Sequence, residues 1–345
     1  MIPPRWRAPL LALGFASLAF GVAGGLVRLG AGFPAPQGAI ALHGALMAPA
    51  FFGTVIGLER AVALGRPWAY GAPLCAGAGG LALVANLAPA GLALLVAAAA
   101  IFCAANVLVV AKQASLETAT LLAGALAWLA GSAFLAAGRP AEPWWIAFFA
   151  LTIGAERLEL SRYLKRSRGS RAAFIALMAV VLLAPLAGAS ALQGGALFLL
   201  ALWFFRYDLA RVTLRQSRLP RYIAACLLAG YFWLALGGVL LASGGARDAA
   251  LHAVFLGFVV SMVFGHAPVI LPAALRISFP YGTALYAPLA LLHASLALRV
   301  AGDMARADAL VLAGAWGNAA GIALFVVTAA ALVFGRAARE RSQGV

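Results

Sequence analysis

Residues 8–29 read APLLALGFASLAFGVAGGLVRL, a run that carries no charge before Arg28. A helix rises about 1.5 Å per residue, so roughly twenty apolar residues match the ~30 Å hydrocarbon layer of a bilayer. Arg5 and Arg7 precede the run as they would in a secretion signal, but it is too long for one and no convincing cleavage site follows before the next apolar stretch. It reads as a first membrane helix.

The rest of the chain repeats this pattern. Of 345 residues 65% are hydrophobic and 10% charged, with a mean hydropathy of +0.99. A water-soluble core would bury about half of such side chains and leave the rest exposed at ~25 cal/mol per Å². The class expected is therefore an all-α polytopic membrane protein, one transmembrane domain over 1–345 with the lipid bilayer as its main partner. Cutting at charges, Pro and Gly clusters gives twelve segments, 8–29, 37–58, 69–88, 90–111, 116–137, 143–163, 172–190, 191–207, 219–243, 248–270, 281–300 and 309–335. The cuts at Pro89 and Ser190 leave very short connections.

Basic residues set the orientation, because Lys and Arg are retained on the cytoplasmic side during insertion. With the N-terminus inside, twenty of the twenty-five fall there, and only Arg28, Arg139, Arg247, Arg299 and Arg306 do not. Both termini are thus expected in the cytoplasm of a bacterial inner-membrane protein. The split also accounts for the net charge of +15 as helix-end charges facing anionic headgroups, which excludes nucleic acid as a partner. Cys75, Cys103 and Cys226 lie in apolar segments without CxxC spacing, so a thiolate cluster and a covalently attached haem are excluded.

All four histidines fall inside membrane segments, where polar groups are costly and tend to mark sites. Each taken singly is equally explained by a hydrogen bond between helices. His43 in segment 2 and His252 in segment 10 both stand early in outside-to-inside helices, and His293 in segment 11 returns to the same outer half. Three histidines at one depth are able to meet on one metal or haem. His266 lies fourteen residues beyond His252, about 21 Å deeper.

Segment 2 ends in Ile56-Gly57-Leu58-Glu59-Arg60 and segment 6 in Ile153-Gly154-Ala155-Glu156-Arg157, an I-G-x-E-R match 97 residues apart. Leu42-His43-Gly44 in segment 2 is paralleled by Leu251-His252-Ala253 in segment 10. Segments 2, 6 and 10 are four apart, so the expected repeats are 1–115, 116–218 and 219–345. Bracing between helices is the main reading of the Glu-Arg pairs, with proton entry through Glu59, Glu156 or Glu159 as the alternative.

Three arcs of four helices with a histidine on the second and tenth resemble the catalytic subunit of haem-copper oxidases, in which those helices hold a low-spin haem. Segments 6 and 7 contain no histidine, and Ala253 and Val254 stand where a further histidine follows in that family, so oxygen reduction is not carried over. The stretch His252-Ala253-Val254-Phe255-Leu256-Gly257, with Met262 and then Gly265-His266, is similar to the H-A-x-x-x-G-x-x-x-x-M run and later G-H of the NnrS family. That family consists of twelve-helix membrane proteins associated with haem, copper and nitric oxide metabolism. In the N-terminal half, Gly44-Ala45-Leu46-Met47 follows His43 where a second histidine and a glutamate are expected.

The resemblance implies haem b, with copper as an additional metal, a small gas ligand such as nitric oxide, and a respiratory or denitrification partner protein. His43 and His252 would ligate iron, with His293 as a third metal ligand or a hydrogen-bonding group. Arg247, Arg299 and Arg306 are the outer cations placed to meet the propionates, or else ordinary interfacial arginines. His266 is expected to bond the carbonyl that Pro268 leaves without an N–H donor. A cofactor-free transporter and an assembly partner of a respiratory complex are the competing classes.

Overall fold

The computed structural model describes residues 3–161 and 167–342, apart from the side chains of residue 5 and residues 336–342. It is helical throughout, with no strand among the described residues. Every expected segment coincides with a helix over the described residues; positions 162–163 of segment 6 lie outside them. They are α1 (Arg7–Arg28), α2 (37–64), α3 (Gly71–Val84), α4 (Ala88–Lys112), α5 (Leu116–Ala136) and α6 (Glu142–Leu160). The remainder are α7 (Arg168–Leu183), α8 (Ser190–Tyr207), α9 (Arg218–Ser243), α10 (Arg247–Leu275), α11 (Tyr286–Ala305) and α12 (Asp308–Ser342). Among the described residues nine are long and apolar enough to cross a membrane; α3, α6 and α8 are not. A 3₁₀ turn at Pro67–Tyr70 shortens α3, and Glu156, Arg157 and Glu159 make α6 more polar. Many large side chains left outside are apolar, among them Val107, Leu126, Phe232 and Phe334, as a lipid-facing surface requires.

The helices form two compact units, Met1–Arg162 with Val181–Gly188, and Tyr163–Val180 with Ala189–Val345. In the first, close backbone approach holds α1, α2 and α3 together. A Cβ on Gly38 would lie 1.8 Å from the Leu83 carbonyl oxygen, and one on Gly24 2.1 Å from that of Ala39. The Gly38 N–H is capped by the Asn86 side chain at 2.8 Å. Behind them Trp128 of α5 packs on Phe102 of α4 and Phe148 of α6, at ring separations of 5.1 and 5.3 Å. Arg7 and Arg157 are buried in this unit, a correction to the expectation that the inner arginines lie out among headgroups.

In the second unit α9 packs against α8 and α10, and α11 pairs with α12. Asn318 of α12 donates to the Ser295 hydroxyl at 2.7 Å and to the Leu292 carbonyl at 3.2 Å, so a buried amide locks the last hairpin.

Two helices depart from regular geometry. In α2 the helix breaks at Leu42 and runs as a π-turn over Leu46–Phe52, around Pro49. In α10 a π-turn covers Ala253–Val260. Each follows closely on the histidine that the repeat pairs, and such turns accompany functional sites. Segment 10 was expected to end at residue 270, just past Pro268. The helix instead continues through Pro268 and Pro272 to Leu275, which bilayer helices tolerate when neighbours satisfy the freed carbonyls.

Candidate functional site

The first turn of α10 carries Asp248, one turn ahead of His252. His252 Nδ1 stands 2.8 Å from the Asp248 main-chain oxygen and 3.1 Å from its carboxylate. Both neighbours are acceptors, so Nδ1 carries a proton, and whenever the ring holds only that one its lone pair is on Nε2. No described residue bonds Nε2. Arg299, reaching over from α11, donates to the same carboxylate at 3.2 Å, and Asp303 accepts the Ala249 N–H at 3.0 Å. The end of α11 thereby clamps the start of α10 and fixes the imidazole.

A histidine whose Nδ1–H is held by a carboxylate or carbonyl is arranged as metal-ligating histidines are. The same geometry suits a general base. Either use falls on Nε2 of His252.

The other expected site residues are placed differently. His43 lies half-buried three residues before the π-turn of α2, its ring beside Gly25 of α1. Arg299 is buried and already engaged by Asp248, whereas Arg247 and Arg306 are exposed. His266 bonds the Met262 carbonyl through Nδ1 at 2.7 Å. The expected partner was the Phe264 carbonyl, four residues before Pro268; the side chain instead reaches back along its own helix to i−4.

His293 is held from both sides. The Trp233 indole N–H donates to its Nδ1 at 2.9 Å, which leaves the proton on Nε2, 3.3 Å from the Ser261 hydroxyl. Ser261 in turn donates to the Cys226 carbonyl at 2.7 Å. With Nδ1 accepting and Nε2 donating, the ring has no lone pair left for a metal unless the Trp233 bond breaks. Among the described residues no three His, Cys, Asp or Glu side chains come together as a metal-binding group. That bears on a copper centre; haem iron needs only one or two protein ligands. Removing the ring should strand a buried indole N–H, so His293→Ala is expected to lower Tm by a loss of ~1–3 kcal/mol. Thermal unfolding of the purified protein checks this, and an unchanged Tm would contradict the interhelical lock.

The two I-G-x-E-R stretches meet. Glu156 lies within electrostatic reach of Glu59, Arg60, Arg157 and Glu159. A shallow cavity beside them is lined by Arg60, Lys112 and Gln113 on an apolar base of Ala63, Leu64 and Val109.

Sequence reading missed Asp248 as the orienting group for His252. The signal was present as an acid and a histidine four residues apart at a helix start, where they share a face. The Trp233 and Ser261 partners of His293 lie 60 and 32 residues away and carry no local signal.

These features define a polytopic helical membrane protein with a carboxylate-oriented histidine at the head of a π-turned helix. The chain belongs to the family described as a domain of unknown function, DUF8744, whose model matches residues 7–334. Neither the curated proteins nor the solved structures contain a match to it.

Proposed function

We propose that the chain is a haem b protein of NnrS-like type in the bacterial cytoplasmic membrane, acting in nitric oxide, wider nitrogen-oxide or respiratory metabolism. One observation carries the reading: His252 Nδ1 is fixed by Asp248, and Nε2 is left with an available lone pair inside an apolar protein. His43, at the matching place ahead of a π-turn in the first unit, is a second candidate ligand. Bound haem would supply one-electron chemistry, and a diatomic gas such as nitric oxide would bind there by displacing one of its ligands.

The chain's own part is to orient His252 through Asp248 and Arg299 and to keep water out with Leu256, Phe258 and Val259, all buried below it. Arg247 and Arg306 are the cations for propionates, since Arg299 serves Asp248. Copper is outside the proposal, because no three-ligand group exists among the described residues to hold it. Haem content of the purified protein tests the reading: a stoichiometric haem supports it, and protein free of haem and iron overturns it.

The Asp248–His252 pair also favours a second reading, a cofactor-free transporter in which Nε2 takes up a proton. A colourless protein whose transport fails on Asp248→Asn would support that alternative.

The proposal includes twelve crossings with both termini in the cytoplasm. Reporter fusions after Arg168 and Arg218 should read cytoplasmic, and fusions within residues 244–248 external. The reverse pattern would sink the depth expected for each histidine.

A further inference from the structure

The first unit buries polar side chains that have no hydrogen-bond partner among the described residues. They are the indole N–H of Trp128 and the hydroxyl of Ser132 on α5, the indole N–H of Trp145 and the hydroxyl of Thr152 on α6, and the side-chain carbonyl of Asn106 on α4. None is more than 4% exposed. In a hydrocarbon surrounding each such group costs several kcal/mol. Packing of other side chains cannot repay five of them, but water, which both donates and accepts, can.

The four groups on α5 and α6 are not scattered. A Cβ on Gly131 would lie 2.8 Å from Trp145 Nε1, and one on Gly124 3.0 Å from Thr152 Oγ1, so α5 and α6 face each other along this line. Trp145, Thr152 and Glu156 follow at intervals of seven and four and share one face of α6. They cover about 16 Å at ~1.5 Å per residue. One end of the line is Glu156, within electrostatic reach of Glu59, Arg60, Arg157 and Glu159. At the other, the Trp145 ring would lie 3.6 Å from a Cβ on Gly44, the residue after His43.

We propose that ordered water fills this seam and that the chain it forms carries protons along α6, between the Glu59–Glu156 end and the His43 end. A proton taken up by the Glu156 carboxylate passes to the adjacent water, which releases one of its own to the next, and the last water, beside Trp145 near the start of α6, releases one to solvent on that side; no electron moves. Ser132 and Thr152 both donate and accept and so take part in the exchange, whereas the two indoles only donate and hold the waters in line. The path ends beside His43, a candidate ligand in the haem reading, but needs no haem and no proton on that ring.

Two measurements on the full chain test it. In lipid nanodiscs transferred to heavy water, the indole protons of Trp128 and Trp145 should exchange faster than those of Trp203 and Trp233, which donate to Ser170 and His293, on the order of tenfold or more. Equally slow exchange at all four means a dry seam and overturns the proposal. In proteoliposomes holding a pH-sensitive dye under a potassium diffusion potential, wild type should pass protons. Glu156→Gln should cut that flux on the order of tenfold and Thr152→Val several-fold, while Thr152→Ser keeps it. Wild-type flux no greater than that of empty vesicles, or undiminished in Glu156→Gln, overturns the proton role.

Discussion

Replacing His252 with alanine should abolish or shift the haem absorption of the purified protein, and His43→Ala should do the same, while His266→Ala leaves it largely intact. The expectation for His252 follows from its ring nitrogens: Nδ1 is committed to Asp248, and Nε2 alone is free to ligate. His43 is included because it holds the matching place before a π-turn on the paired helix. His266 stands about four helical turns from His252 at ~3.6 residues per turn, with Nδ1 on the Met262 carbonyl. Asp248→Asn offers a graded companion. It keeps an acceptor near Nδ1 but removes the charge, so haem should be retained with an altered midpoint potential. Retention of an unchanged spectrum in His252→Ala would remove this ligand assignment, and loss of haem in His293→Ala with His43 dispensable would move the site elsewhere in the outer half.

The second large effect is expected at Gly257, in the π-turn of α10. A Cβ there would lie 2.3 Å from Cγ and 2.4 Å from Cβ of Trp233, atoms too close to the α9 backbone to swing away. The indole is further fixed by its bond to His293 and is 5% exposed. Gly257→Leu must therefore separate α9 from α10 or break the Trp233–His293–Ser261 chain. Overpacking of a rigid core typically costs ~1–3 kcal/mol, and the added loss of a buried hydrogen bond puts this variant at or above the top of that range. Thermal unfolding and tryptophan emission read it together: Tm should drop sharply and the emission of Trp233 move. A variant with wild-type Tm would show that the π-turn is free to yield.

The helices were legible because lipid leaves a chain few solutions. With no water to satisfy backbone groups, an apolar run such as residues 8–29 must be helical. The π-turns in α2 and α10 were not legible, since Leu46–Phe52 and Ala253–Val260 are as apolar as regular helix and the extra residue per turn leaves no composition mark. Pro268 misled for the opposite reason: a soluble helix would end there, while this one continues inside its neighbours.

The site was half legible. His252 stood out because a histidine in hydrocarbon is costly, and Asp248 was passed over as part of the connection before the segment. His293 looked equivalent to His252 by depth alone. Its neighbours Trp233 and Ser261 give it a different office, and only tertiary packing brings them to it. The meeting of Glu59-Arg60 with Glu156-Arg157 was foreshadowed by the repeated motif, whereas the unpartnered groups between α5 and α6 had no trace in the sequence.

The most direct test of the central claim is the reduced-minus-oxidised absorption spectrum of the purified wild-type protein. The account predicts an intense Soret band with the sharp α and β bands of a low-spin haem b, as ligation by two histidines would give. A protein that expresses, folds and shows no visible absorption after supplementation with haem would contradict it.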